Sequence, residues 1–146
     1  MKSEEEDYSI SDLKRDGKIH WYGVRNYQAR NFMRDHMKLG DMVLFYHSNG
    51  KPSGIVGKGK VASLPYPDIT QFDQKSKYYD KKATKEKPIW MLVDVAYVKT
   101  YKTMLSIHEM RLHHELSGMK LLEKGSRLSI TPVSQADFTY IDNLLS

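Results

Sequence analysis

The chain has 146 residues, 40% hydrophobic and 28% charged, with a net charge of +5, enough chain to bury a core without covalent staples. It contains no cysteine, which excludes disulfides, thiolate metal sites and cysteine nucleophiles together. No apolar run approaches the roughly 18 residues of a membrane span, the acidic start does not read as a signal peptide, and the basic excess suits an anionic partner. These features predict one domain over residues 1–146 with no membrane partner. They place it in the cytoplasm of a bacterium, with nucleoid association, or in the nucleus of a eukaryote.

In chain order, Ser9-Ile-Ser-Asp12 has the form of a capping box and predicts a helix start. Trp21-Tyr-Gly-Val-Arg-Asn-Tyr-Gln-Ala-Arg-Asn31 then gathers aromatics, amides and guanidinium groups within eleven residues. Such side chains can stack on bases, read base edges and hold phosphate. With Asn26 as the helix cap, Ala29, Phe32, Met33 and His36 fall on the core side. Tyr27, Arg30, Asn31 and Arg34 fall on the opposite side, the two arginines one turn apart and spaced for successive phosphates or a pair of carboxylates. Trp21 is placed just outside the helix, beside Gly23, where the backbone can approach a ligand. The competing reading makes Trp21 and Tyr27 half-buried packing aromatics and the arginines surface ion pairs.

Met42 to Tyr46 is a continuous apolar run after Gly40-Asp41 and predicts a strand buried on both faces. Gly54 to Leu64 alternates and is glycine-rich, as a bulged strand of a small barrel would be. Pro65 to Pro88 is a long connection with three prolines, paired tyrosines at 78 and 79 and six lysines between 75 and 87. It reads as a solvated charged loop or as a basic flap beside a groove, with Tyr78 or Tyr79 stacking. Ile89 to Tyr101 predicts the longest strand, and Asp94 within it reads as a base or as an outward acid paired to lysine. Asp68-Ile-Thr-Gln71, Ser106-Ile-His-Glu109 and Ser134-Gln-Ala-Asp137 repeat the capping-box form, and Arg127 to Thr131 predicts a last short strand. In the final helix Phe138, Ile141 and Leu145 form an inward stripe. Strands mixed with short helices predict a small α+β barrel.

Catalytic motifs are incomplete. His108-Glu109 begins H-E-x-x-H, but Leu112 stands where the second histidine is required. His108, His113 and His114 do not share a helical face, so no metal site is expected. Gly57-Lys-Gly-Lys60 is neither a P-loop nor a dinucleotide fingerprint, and G-x-S-x-G is absent.

The segment from Trp21 to Met33, with Met37-Lys-Leu-Gly-Asp41 and Phe45-Tyr-His-Ser-Asn49, resembles the EVE domain family. Met1-Lys-Ser-Glu4, Tyr8 to Leu13, Gly54 to Gly57, Tyr66-Pro-Asp68, Thr70-Gln-Phe72, Trp90 to Val95 and Arg127 to Pro132 extend the likeness over essentially the whole chain. The resemblance implies a PUA-like fold, a small mixed β-barrel with short flanking helices. It also implies a non-catalytic reader of modified bases in DNA or RNA, needing no cofactor or metal. On that reading Trp21 and Tyr27 are stacking residues, while Arg25, Asn26 and Asn31 bind phosphate or base edges. Ser48 and Asn49 line the pocket floor, and Lys2 and Ser3 close the other side with Ser129 near them. Arg30 faces the same anionic partner from the helix. Members of the family carry further residues before the Met-Lys-Ser-Glu motif and a proline where this chain has Glu5, which predicts a short first strand or a truncated start. Two other functions fit the same residues: a hydrolase or nuclease acting on modified nucleic acid, and a module that holds a peptide.

Overall fold

The computed structural model describes residues 1–125 and 127–146. Its first elements are β1 (Lys2–Glu4), α1 (Ile10–Asp16), β2 (Lys18–His20), α2 (Tyr27–Asp35) and β3 (Met42–Ser48). They are followed by β4 (Gly54–Val61), β5 (Tyr66–Pro67), β6 (Met91–Leu92), β7 (Asp94–Ser106), α3 (Ile107–Leu112) and α4 (Gln135–Leu145). Short 3-10 turns lie at Ile69–Phe72, His114–Leu116 and Lys120–Leu122.

The main sheet has the order β1-β3-β4-β7-β2, and β5 pairs with β6 in a separate ribbon. β1 lies parallel to β3 with Lys2 opposite Tyr46 and Glu4 opposite Ser48, while the other pairs are antiparallel. The sheet curls without joining its edges, so the predicted barrel is a half-barrel with β1 and β2 as its two edge strands.

β3 shows why its sequence is continuously apolar. Val43 and Phe45 enter one core with Leu13, Trp21, Met33 and Val95. Leu44 and Tyr46 enter a second core on the other face, with Ile55, Met110, Leu116 and Ile141. Side chains alternate across a strand, so a strand between two cores must be apolar at every position. The pairing of β4 slips near Gly57 and Gly59, where added Cβ atoms would lie 2.6 Å from the Lys99 carbonyl and 2.5 Å from that of Ala96. These glycines admit the close backbone approach that bulges and curls the sheet.

All four predicted cap residues cap. Ser9 closes a full box with Asp12, Ser106 accepts from the Glu109 amide and Ser134 from that of Asp137. Asp68 caps a 3-10 turn through the Thr70 amide.

Three expectations need correction. Arg127 to Thr131 is irregular backbone at its described positions, tied to β1 by the Lys2 amide donating to the Ser129 carbonyl at 2.8 Å. Ile89 to Tyr101 is broken: Gln71 Oε1 takes the amides of Ile89 and Trp90 (2.9 and 2.8 Å) ahead of β6, and Val93 separates β6 from β7. His36 caps the C-terminal end of α2 and is exposed. The 65–88 connection bears out two expectations, carrying a 3-10 turn capped by Asp68 and keeping Lys81, Lys82, Lys85 and Lys87 exposed, and it also holds β5. No helix among the described residues is long and apolar enough to cross a membrane.

Candidate nucleic-acid interface

A cavity of about 700 Å³ occupies the gap between the two edge strands of the half-barrel. Its size lies within the range of about 300–1,000 Å³ seen for small-molecule clefts. β1 supplies Lys2, Ser3 and Glu4, the end of β3 supplies Ser48 and Asn49, and the entry to α2 supplies Trp21 to Asn26. Tyr78, Arg127 and Ser129 complete the wall.

Of the eleven residues predicted for the site, Lys2, Ser3, Trp21, Arg25, Asn26, Ser48, Asn49 and Ser129 line this one cavity. Their roles differ from those expected. Trp21 is 8% exposed and packs edge-on against Phe45 at 5.7 Å, so it supports the floor as part of the core instead of standing free as a platform. Asn26 spends its side-chain oxygen on the Ala29 amide as the helix cap. Arg25 uses its five N–H donors within the protein, on the Val24 carbonyl, Asp68, Thr70 and twice the Tyr78 carbonyl. It is a clamp for the 65–88 connection, with no donor left for a phosphate.

Tyr27, Arg30 and Asn31 do not line the cavity. Tyr27 stacks on Trp90 at 4.8 Å, and the Arg30 guanidinium lies 4.8 Å above the Tyr27 ring. Arg30 also donates to the Ile89 carbonyl at 2.9 Å and to Asn31 Oδ1 at 2.7 Å. This layered stack fastens α2 to Trp90 outside the cavity. Arg34, one turn on, pairs with its neighbour Asp35 at 2.8 Å.

The rim aromatics are Tyr22 and Tyr78. Tyr22 is 51% exposed and meets Tyr78 edge-on at 6.1 Å. Gly23 sits at φ +90°, where a Cβ would lie 2.7 Å from the Tyr78 ring, so the backbone here passes directly beneath that ring. Its amide donates to the fully buried Asp68 at 2.8 Å. Asp68 thus joins the α2 entry to the tyrosine-bearing loop. The quoted Tyr66-Pro-Asp68 piece marked this residue, but its contacts, more than forty residues away in sequence, are invisible to local pattern reading.

At the mouth, His20 Nδ1 lies 2.7 Å and Tyr66 Oη 2.5 Å from Asp94 Oδ1, with Lys18 Nζ 3.8 Å from Oδ2. Asp94 is therefore neither a free base nor simply a lysine partner. Burial alone would raise its carboxyl pKa, but the hydrogen bonds to His20 and Tyr66 outweigh it and hold the group below its ordinary value. Tyr66 is raised in turn by burial and by that carboxylate. Burial also lowers the Lys2 ammonium, which lies 5.8 Å over the Tyr46 ring. Among the described residues, no three His, Asp or Glu converge to hold a metal ion, and His113 Nδ1 pairs instead with the Tyr140 hydroxyl at 2.6 Å.

A curled half-barrel with flanking helices and a polar, aromatic-rimmed cavity between its edges defines a PUA-like α+β protein. Residues 1–144 match the EVE domain, and the chain belongs to that family. It is 45% identical to chicken (Gallus gallus) thymocyte nuclear protein 1 over 94% of this chain and 60% of the relative. Against the human protein the identity is 41%, over 94% of this chain and 64% of the relative. The chain thus spans somewhat under two thirds of the length of these curated relatives. A crystal structure from Pseudomonas syringae superimposes with a TM-score of 0.95 at 45% identity, covering 100% of this chain and 97% of the other. The structure of human THYN1 in complex with 5-methylcytosine-containing DNA does so with a TM-score of 0.90 at 38% identity, covering 100% and 95%.

Proposed function

We propose that this domain is a non-catalytic nucleic-acid-binding module that receives a modified base, flipped from its strand, in the cavity between β1 and β2. The observation that carries this reading is the coincidence of that cavity, rimmed by Tyr22 and Tyr78, with near-complete structural likeness to a protein bound to 5-methylcytosine DNA. Stacking accepts any base and contributes about 1–3 kcal/mol per base, so polar wall groups must discriminate. A methyl group adds only about 0.8 kcal/mol by burial, so rejection of the unmodified base needs a close fit as well. The phosphates remain outside, on exposed cations such as Arg127 and the lysines of residues 75–87. On this reading the chain acts as one unit, in the compartment that holds its nucleic acid.

The test is a titration of labelled single strands carrying 5-methylcytosine or cytosine at one position, at two salt concentrations. The methylated strand should bind more tightly, and both affinities should fall steeply with salt as counterions are released. Tyr22→Ala should weaken binding by about 1–3 kcal/mol, roughly 5- to 150-fold, with folding unchanged. Wild-type affinity in Tyr22→Ala would remove the rim from the site. Binding indifferent to salt would favour a peptide ligand, and turnover of the strand would favour a nuclease.

A further inference from the structure

Glu4 lines the cavity, and the modified-base reading gives it no role. It ends β1 opposite Ser48 of β3, so its carboxylate stands beside Ser48 and Asn49. Asn49 adopts the left-handed conformation (φ 57°) and donates from Nδ2 to Glu4 Oε1 at 2.5 Å. A non-glycine residue at positive φ is uncommon, though asparagine tolerates it better than most. Here it closes a side-chain bond across 45 positions of sequence. One carboxylate oxygen is thereby fixed. The other, Oε2, has no donor among the described residues.

An anionic acceptor held this way is selective toward bases. It accepts a hydrogen bond from an exocyclic amino group, as acidic side chains do from cytosine N4. It repels a carbonyl oxygen at the same position, and as an exposed residue it stands at the cavity's rim. Asp7 also lines the cavity, joined to this strand end by its amide, which donates to the Glu4 carbonyl at 3.0 Å. We propose that Glu4, positioned by Asn49, is the residue that selects a 4-amino pyrimidine over its 4-keto counterpart. The inference rests on the base-reader function proposed above and adds the chemical class of the base.

Two single strands that differ at one position, 5-methylcytosine or thymine, isolate this choice. The bases share the 5-methyl group and differ on the pairing edge, and single strands remove any difference in unpairing. The wild-type protein should prefer the 5-methylcytosine strand by about tenfold or more. Glu4→Gln keeps an oxygen for Asn49 but can turn its amino group toward the base, so the preference should fall to within about threefold or invert. Glu4→Ala should flatten it as well, and Asp7→Asn should keep it, with each variant's fold verified by its thermal transition. Equal wild-type affinity for the two strands, or an undiminished preference in both Glu4 variants, overturns the role of Glu4 and leaves the base reader standing. If neither strand binds, the base-reader function itself falls, and this inference with it.

Discussion

Trp21 and Tyr22 are adjacent and do opposite work. The strand period begun at β2 continues past its end, with Ile19 and Trp21 turned inward and His20 and Tyr22 outward. Trp21 is thus fixed by Phe45 and by its own amide, which donates to the Val93 carbonyl at 3.0 Å. Trp21→Ala should destabilise the fold by about 3–5 kcal/mol, as truncation of buried aromatics does. Urea unfolding monitored by circular dichroism would measure the loss, and a midpoint equal to wild type would mean that Trp21 is not core. Any weakening of nucleic-acid binding in that variant therefore reports unfolding before it reports a lost stacking contact. The residue types of the Trp21 to Asn31 segment pointed to the cavity, and that was legible. Which aromatic faces it depends on extending the two-residue alternation of Lys18–His20 to Trp21 and Tyr22, beyond the strand's end. Tyr78 was legible as a stacking candidate of the flap, whereas the roles of Glu4 and Asp68 arise from tertiary contacts that no local period records.

Between elements, the 65–88 connection shows why long-range anchors escape local reading. Its lysines are solvated, yet its backbone is fastened at three points: Gln71 to the chain before β6, Asp80 to Trp90 Nε1 at 2.8 Å, and the Tyr78 carbonyl to Arg25. The helix caps were legible because cap and amide lie two or three residues apart. The loop anchors span up to 53 positions, and no periodicity records them. Arg25 is the most consequential anchor, since its removal leaves Asp68 wholly buried without its cation. Arg25→Ala should destabilise the protein by about 3 kcal/mol, the lower end for breaking a buried pair, because Gly23 and Thr70 still donate to Asp68. It should also speed tryptic cleavage at Lys81 and Lys82 before global unfolding. Cleavage at the wild-type rate would show that the loop is held independently of the α2 entry.

Across the whole molecule, each core carries a polar group that fastens a helix to the sheet and whose charge state sets the response to acid. Lys58 of β4 and Tyr101 of β7 both donate to Asp142 of α4, at 2.8 and 2.7 Å. These hydrogen bonds, the one from Lys58 foremost, lower the Asp142 pKa, while burial and Asp142 raise that of Tyr101. At the other end of the sheet, the buried His47 accepts the Ile10 amide at Nε2 (3.1 Å) and so holds the start of α1. Burial lowers its pKa. Glu5, 3.2 Å from Nδ1 but outside hydrogen-bonding geometry, only partly opposes this. Both groups have folded pKa values below their unfolded ones, about 6.5 for histidine and 3.9 for aspartate. The unfolded chain therefore binds more protons, and stability falls with pH in two stages. The His47 contribution is present above about pH 6.5 and is lost as pH falls through its lower folded value; that of Asp142 is present above about pH 3.9 and is lost further down. Denaturation midpoints should accordingly decline more steeply below about pH 6.5 and drop again below about 4. Asp142→Asn should destabilise the protein at pH 7 by about 1–3 kcal/mol, as loss of a part-buried charge-assisted bond does, and flatten the second decline while leaving the first. If the variant keeps the full wild-type loss below pH 4, the acid response lies with other carboxylates, Asp94 first among them, and α4 is held by its apolar stripe alone.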